Sequence, residues 1–255
     1  MTFRDRFSHL DTEVWTPAYL PAWSSRAQAA ATYTTGTAGL DLSIPDSHPL
    51  WCPDQHSPPL RVSGIQSFNL SGPVGSTDAP QPFLPGQRVR EHQPTVLGFA
   101  PHFGRVEVTC SAELTDRSMF SAWMVGLEDQ PDRCGEICLV EVFGDTVRDG
   151  YADVGQGIHQ FRDPALREDF SAPRRRIDIG EPHRYVIEWR RGRVDFSIDG
   201  VHTRTTDQAP DYPMFLFLAV FDFPERSDAA GVPHLRVSEV SGIDLGEGSL
   251  LGGQL

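Results

Sequence analysis

The sequence predicts an all-β protein of antiparallel sheets, on three observations. Short runs of alternating apolar and polar residues recur along the chain. Gly, Pro, Asp and Asn break those runs at turn-like intervals, and helical periodicity is nearly absent. At 255 residues with 39% apolar side chains, the chain can build one large sandwich without disulfide or metal staples. The first expected strands span 31–35, 40–44 and 60–66, and longer ones follow at 104–112, 120–127 and 136–143. The runs 184–190 and 193–198 meet at Arg191-Gly192, and Asp199-Gly200 turns the chain into 201–205, a hairpin signature. The run 214–223 opens with eight consecutive apolar residues, Met214 to Phe221, as a strand covered on both faces would. The last run, 234–240, alternates, so one of its faces is expected to be buried and the other wet.

Two stretches read as long surface loops: 45–59 carries five prolines, and 69–94 is rich in Gly, Pro, Ser and Gln. Neither has the monotony of a linker, so one domain is expected over 1–245, with these loops on the rim of a binding site. The segment 246–255 reads as a frayed tail. No internal repeat is visible, which disfavours propellers and solenoids. The formal net charge is −13, and every basic residue is arginine. Without lysine there is no Schiff-base chemistry and no phosphate-gripping lysine. The acidic balance also argues against a nucleic-acid partner. No apolar run approaches the ~20 residues of a membrane span. The first residues hold no apolar leader, so the cytosol or a non-classical export route is the expected location. The cysteines, Cys52, Cys110, Cys134 and Cys138, are expected to be reduced, and Cys134-x3-Cys138 is a poor zinc spacing.

The most informative segment is Arg133-Cys-Gly-Glu136-Ile-Cys138-Leu-Val-Glu141-Val-Phe-Gly-Asp145. Its two glutamates stand five apart in an apolar run that reads as a strand. In a regular strand such positions point to opposite faces, which would drive one carboxylate into the core at a cost of several kcal/mol. A single β-bulge between them restores parity and puts Glu136, Cys138 and Glu141 on one face. Two carboxyl groups held together separate in pKa, giving one ionised nucleophile and one protonated acid. Retaining glycoside hydrolysis needs such a pair at about 5–5.5 Å.

Glu136-Ile-Cys138-Leu-Val-Glu141 resembles the E-I-D-x-x-E motif of glycoside hydrolase family 16, the laminarinase and lichenase group of retaining endo-β-glucanases. Ser121-Ala-Trp123-Met-Val-Gly is similar to the tryptophan-bearing strand before that motif. His183-Arg-Tyr-Val-Ile-Glu-Trp189 is similar to the family's H-x-Y-x-x-E-W strand, and the segment from Arg193 to Gly200 to the hairpin after it. Tyr212-Pro-Met214 and Gly157-Ile-His159 match two further blocks, so the resemblance covers roughly 95–240. It implies a concanavalin A-like jelly-roll sandwich of two curved antiparallel sheets with an open cleft. Glu136 would be the nucleophile, Glu141 the acid/base, Trp123 a stacking face for a sugar ring, and His159 a hydrogen-bonding group beside them.

The implied substrate is a neutral β-linked polysaccharide, a β-1,3-glucan first and a mixed-linkage β-glucan second, with no required cofactor. A structural calcium occurs in many relatives; Asp5 and Glu13 invite it here, but the metal site is left unassigned. The chain is expected to act as a monomer. One departure stands inside the motif: the middle aspartate is Cys138, a weak donor that carries no charge as a thiol. Lectin-like binding without cleavage, and transfer of the covalent intermediate to another sugar, are the competing functions.

Each singled-out residue also has a plain structural reading. Trp123 fits a sandwich core, His159 a satisfied loop histidine, and Trp51 lid packing. Arg174-Arg175-Arg176 reads as a solvated loop, Glu188 and Asp195 as outward strand residues, and His183 as structural.

Overall fold

The apolar strand Met214–Asp222 decides the layering. Met214, Leu216, Leu218 and Val220 enter one apolar cluster, while Phe215, Phe217, Ala219 and Phe221 enter another. A strand that is apolar on both faces has to be covered twice. The structure, a computed structural model describing residues 2–246, shows what covers each side.

With strands numbered along the chain, one sheet runs in the order β12 (Asp169–Ser171), β11 (Gly155–His159), β9 (Glu136–Phe143), β8 (Ser118–Gly126), β17 (Met214–Asp222) and β4 (Arg61–Gln66). The other runs β16 (Val201–Thr206), β15 (Arg193–Ile198), β14 (His183–Arg190), β7 (Gly104–Glu113), β18 (His234–Asp244), β3 (Gly39–Ser43) and β2 (Tyr33–Gly36). In that sheet β1 (Thr2–Asp5) pairs with β18. Two small ribbons complete the set, β5 (Phe68–Asn69) with β6 (Val96–Leu97) and β10 (Tyr151–Asp153) with β13 (Arg174–Arg176). The fold is the concanavalin A-like jelly roll, two curved antiparallel sheets packed face to face.

The main core lies between the sheets and draws on Phe7, Trp15, Val108, Phe120, Ile137, Trp189, Phe196 and Val240. The outer face of the six-stranded sheet is covered by loops instead. Trp23, Ala29, Trp51, Cys52, Leu60 and Val89 pack there against Trp123, Phe215 and Phe217. The proline-rich 45–59 loop therefore buries Trp51 while it builds a rim. The hairpin expected at Asp199-Gly200 forms: both residues have positive φ, 51° and 80°, and Ile198 pairs with Val201.

Two readings need correction. Arg174–Arg176 is a short strand rather than a loop, because its backbone pairs with Tyr151–Asp153 and Arg174 finds both Asp153 and the Tyr151 ring across the ribbon. Gly155–His159 is a strand that composition hid, since glycine at 155 and 157 weakens any strand signal. Both glycines are required there: a Cβ at Gly155 would strike the Phe170 ring, and one at Gly157 (φ 144°) the Asp169 carbonyl. All four cysteines are buried and unbridged. Apart from Gly246, the expected tail 246–255 lies outside the described residues. Among the described residues no helix is long and apolar enough to cross a membrane.

Candidate active site

The site starts from a mismatch in strand register. Along β8 and β9, Glu136 pairs with Val125, Ile137 with Met124 and Cys138 with Trp123, but Val140 then pairs with Ala122 and Glu141 with Ser121. Leu139 is the extra residue. The opposite neighbour, β11, shows the same slip between Gly155 and Gly157. Leu139 and Val140 consequently both point into the main core, while Glu136, Cys138 and Glu141 share the outer face. The bulge demanded by the spacing of the glutamates is present. Gln156, wholly buried, clasps it: its Nε2 donates to the Leu139 carbonyl (2.9 Å), and its Oε1 accepts from Thr203 Oγ1 (2.7 Å).

The outer face opens into a cleft of about 470 Å³ that contains Glu136, Glu141, Cys138, Trp123 and His159 together. The five residues that the sequence reading assigns to the site are thus brought to one place. Burial holds the Glu136 carboxyl well above the usual carboxylate range. The charge of Glu141 pushes it further the same way, and a hydrogen bond from the Trp123 side chain opposes the rise. Burial raises Glu141 too, against the pull of His159. Both acids therefore resist ionisation, and each resists it more once the other is charged. Cys138, between them, is driven well up by burial and then by the Glu141 charge, so it remains a neutral thiol at neutral pH. Ser121 Oγ lies 3.9 Å from its sulfur and donates to the Val140 carbonyl (2.9 Å).

Trp123 serves two roles. Its ring stacks on Phe217 at 4.7 Å and 9°, and only 8% of the residue is exposed, yet it lines the cleft. His159 stacks on Phe170 at 4.4 Å, and its Nδ1 lies 2.7 Å from Glu168 Oε1, which fixes the ring's orientation at the cleft wall. Trp51 is buried against Tyr19 and Phe83, with its Nε1 donating to the Tyr19 carbonyl (2.9 Å). His183 is structural, held by Asp199 (2.6 Å) and the Asp178 carbonyl (2.9 Å).

Several cleft residues escaped the sequence reading. Tyr19 sits among Trp51, Trp123, Phe217 and Phe221, and burial together with the Glu136 charge keeps its phenol protonated. Phe161 is 54% exposed at φ 47°, an uncommon conformation for an aromatic residue, and presents its ring to the cleft. Arg162 and Phe83 line the same wall. Ser121 was within reach, since strand alternation puts it on the same face as Trp123. Tyr19 and Arg162 left no local signal.

Asp5, which invited a calcium, accepts with its two carboxylate oxygens from the Phe7 N–H (2.8 Å) and Trp15 Nε1 (2.8 Å). Among the described residues no cluster of three or more His, Cys, Asp or Glu side chains converges as a metal site.

No family model matches the sequence, and no curated protein does. Solved structures do match. The GlcNAcα1-4Gal-releasing endo-β-galactosidase from Clostridium perfringens superposes with a TM-score of 0.75 at 21% identity over 94% of this chain. This chain spans 61% of that enzyme's length. The catalytic domain of an endo-1,3-β-glucanase (laminarinase) from Thermotoga petrophila gives 0.63 at 13% identity, covering 95% of this chain and 97% of its own. A Bacteroides ovatus mixed-linkage glucan GH16 protein, in complex with a G4G4G3G product, gives 0.59 at 15%, covering 94% and 99%. Through these neighbours the chain is shown to have the jelly-roll fold of glycoside hydrolase family 16 structures.

Proposed function

We propose that this protein is a retaining, endo-acting glycoside hydrolase of a neutral β-linked polysaccharide. One observation carries the reading: the Leu139 bulge puts a buried and a half-buried carboxyl group, Glu136 and Glu141, together on the floor of an aromatic-walled cleft. Such a pair disfavours two charges at once, so one member can attack while the other gives a proton. In this scheme, which takes the roles from the resemblance of Glu136-Ile-Cys138-Leu-Val-Glu141 to the family motif, Glu136 attacks the anomeric carbon and Glu141 protonates the leaving glycosidic oxygen. Glu141 then takes a proton from water as the water displaces Glu136. Trp123, Phe161 and Tyr19 supply faces and a hydroxyl for pyranose rings, and His159 anchors the wall beside Glu141.

A β-1,3-glucan or mixed-linkage glucan is the first expectation for the substrate, in keeping with the laminarinase and glucan-bound neighbours. A β-galactoside chain is the second reading, favoured by the higher TM-score of the endo-β-galactosidase. A neutral chain suits the cleft in either case: Arg162 lines the wall, but its charge is already paired with Glu128 at 2.8 Å. The test is reducing-end release from laminarin, mixed-linkage glucan and β-galactans, with product sizing. Turnover should fall by at least about a thousandfold in Glu136→Gln. Retention in polysaccharide gels without release of any reducing end would make the protein a lectin. Products longer than the substrate would make it a transglycosylase.

A further inference from the structure

A second hollow of about 460 Å³ lies beside the cleft, lined by Pro82, Phe83, Leu84, Pro85 and Gln87 on one side and Arg162 on the other. Pro82, Phe83 and Arg162 line both cavities, so these three residues form the ridge between them.

The ridge is fastened from below. Arg162 Nη2 donates to Glu128 Oε2 (2.8 Å), and Nη1 reaches the Pro82 carbonyl (3.5 Å). The other Glu128 oxygen accepts from the Gln81 backbone N–H (2.8 Å) and from its Nε2 (3.0 Å), which also lies 3.4 Å from the Cys134 carbonyl. Glu128 thereby ties together the 69–94 loop, the segment after β11 and the turn that leads into Glu136. The Glu128 side chain is only 6% exposed, whereas Arg162 is 44% exposed. Pushing the guanidinium aside would leave a carboxylate buried without its cation, which distinguishes this clasp from a surface ion pair that water can replace. Glu128 is also close enough to Glu136 for its charge to act on that carboxyl. The ridge stands at the Glu136 end of the cleft: its clasp reaches the Cys134 carbonyl two residues before Glu136, and β11 ends at His159, which pairs with Glu136, three residues before Arg162.

Beyond the ridge the hollow is unlike the cleft. It is built mainly from proline, phenylalanine and leucine, and the Gln87 side-chain oxygen is already taken by the Phe83 N–H (2.8 Å). Its surface suits the apolar face of a sugar ring, but the fixed ridge stands in the way of a chain leaving the cleft.

We infer that Arg162, clasped by Glu128, is a specificity-determining residue that closes the Glu136 end of the cleft and limits how many sugar units bind there. This rests on the glycosidase reading of the same cleft. Removing the Arg162 side chain lowers the ridge, joins the two cavities and lets a longer chain lie across Phe83.

The test uses the full chain in a Glu136→Gln background, which binds without turning over. Affinities for laminari-oligosaccharides and β-galacto-oligosaccharides, from disaccharide to hexasaccharide, are measured by calorimetry. With Arg162 present, affinity should stop rising at a fixed chain length. In Glu128→Gln/Arg162→Ala, which removes both charges and leaves neither buried alone, affinity should go on rising past that length. The longest should gain about tenfold or more. Arg162→Ala alone serves as the second variant, with its melting curve as the fold check, and should show the same gain. Equal length dependence with and without the ridge overturns the inference. Failure of either background to bind any sugar overturns it together with the glycosidase reading. Turnover of the same panel by the protein with Glu136 intact reports on that reading alone.

Discussion

Two pairs of acidic side chains sit on the two sheets of this molecule, and their surroundings give them opposite properties. On the eight-stranded sheet, Glu188 and Asp195 face each other across β14 and β15. Arginines neutralise both: Arg105 reaches Glu188 at 2.8 Å, while Arg190 and Arg193 reach Asp195 at 2.6 and 2.8 Å. Partial burial pushes Asp195 up, but the hydrogen bonds from Arg193 and Thr205 outweigh it and hold the carboxyl below its ordinary range. On the six-stranded sheet, Glu136 and Glu141 have no arginine partner within ion-pair distance among the described residues, and burial raises both. Like residues in like strands are thus a structural brace in one place and a poised acid pair in the other. What differs is where the arginines stand.

The sharpest way to break this contrast is chemical. Glu141→Gln removes the proposed proton donor and should lower turnover of natural polysaccharide by about a hundred- to ten-thousandfold. An aryl glycoside with a good leaving group, which needs no proton for departure, should lose far less in its first step. Equal losses on both substrates would remove Glu141 from that role.

Next in size is the bulge that makes the cleft pair possible. Gln156→Ala leaves the Leu139 carbonyl without its buried donor and should cost about 1–3 kcal/mol in denaturant unfolding. Turnover should fall with it, because the parity of Glu136 and Glu141 depends on that kink. Full activity in a destabilised variant would separate the bulge from the chemistry.

The third test compares the pairs through pH. A raised carboxyl binds its proton more tightly folded than unfolded, so stability is lost as pH rises from about 4.3 towards the raised folded value. Glu136→Gln should therefore stabilise the protein at pH 7 and raise its Tm there, as thermal melts would read. The gain should vanish below about pH 4, where Glu136 is protonated in both states. Asp195 behaves in the opposite sense: its contribution is present above its unfolded value near 3.9 and is lost as pH falls through the lowered folded one. Asp195→Asn should cost less than about 1 kcal/mol at pH 7, since the site is partly wet. A Glu136→Gln variant that melts earlier than its parent at pH 7 would contradict the poised-pair account.

The smallest effect is expected at Cys138. A neutral thiol and a hydroxyl differ little in charge, so Cys138→Ser should change kcat by less than about tenfold. A larger loss would mean that the sulfur itself orients the glutamates.

Much of this arrangement was legible from local pattern. The spacing of Glu136 and Glu141 required a bulge, because two carboxylates five apart in an apolar strand cannot otherwise avoid the core. Asp199-Gly200 specified its hairpin, and the unbroken run from Met214 announced two covered faces. Strand β11 was not legible, because its glycines are chosen by neighbours, Phe170 and the Asp169 backbone, that lie far along the chain or across the sheet. The roles of Tyr19, Glu128 and Arg162 were likewise hidden. Each comes from a loop whose position is set by what it packs against, not by its own sequence.

The sequence by itself determined the fold class, the strand that carries the acid pair and the parity that puts both acids on one face, since these follow from alternation and from the cost of burying charge. Only the tertiary structure decided which aromatic rings wall the cleft, which carboxylates keep arginine partners and where the ridge at Arg162 stands. Those contacts join segments distant along the chain, and their energies come from burial and charge proximity that no local pattern encodes.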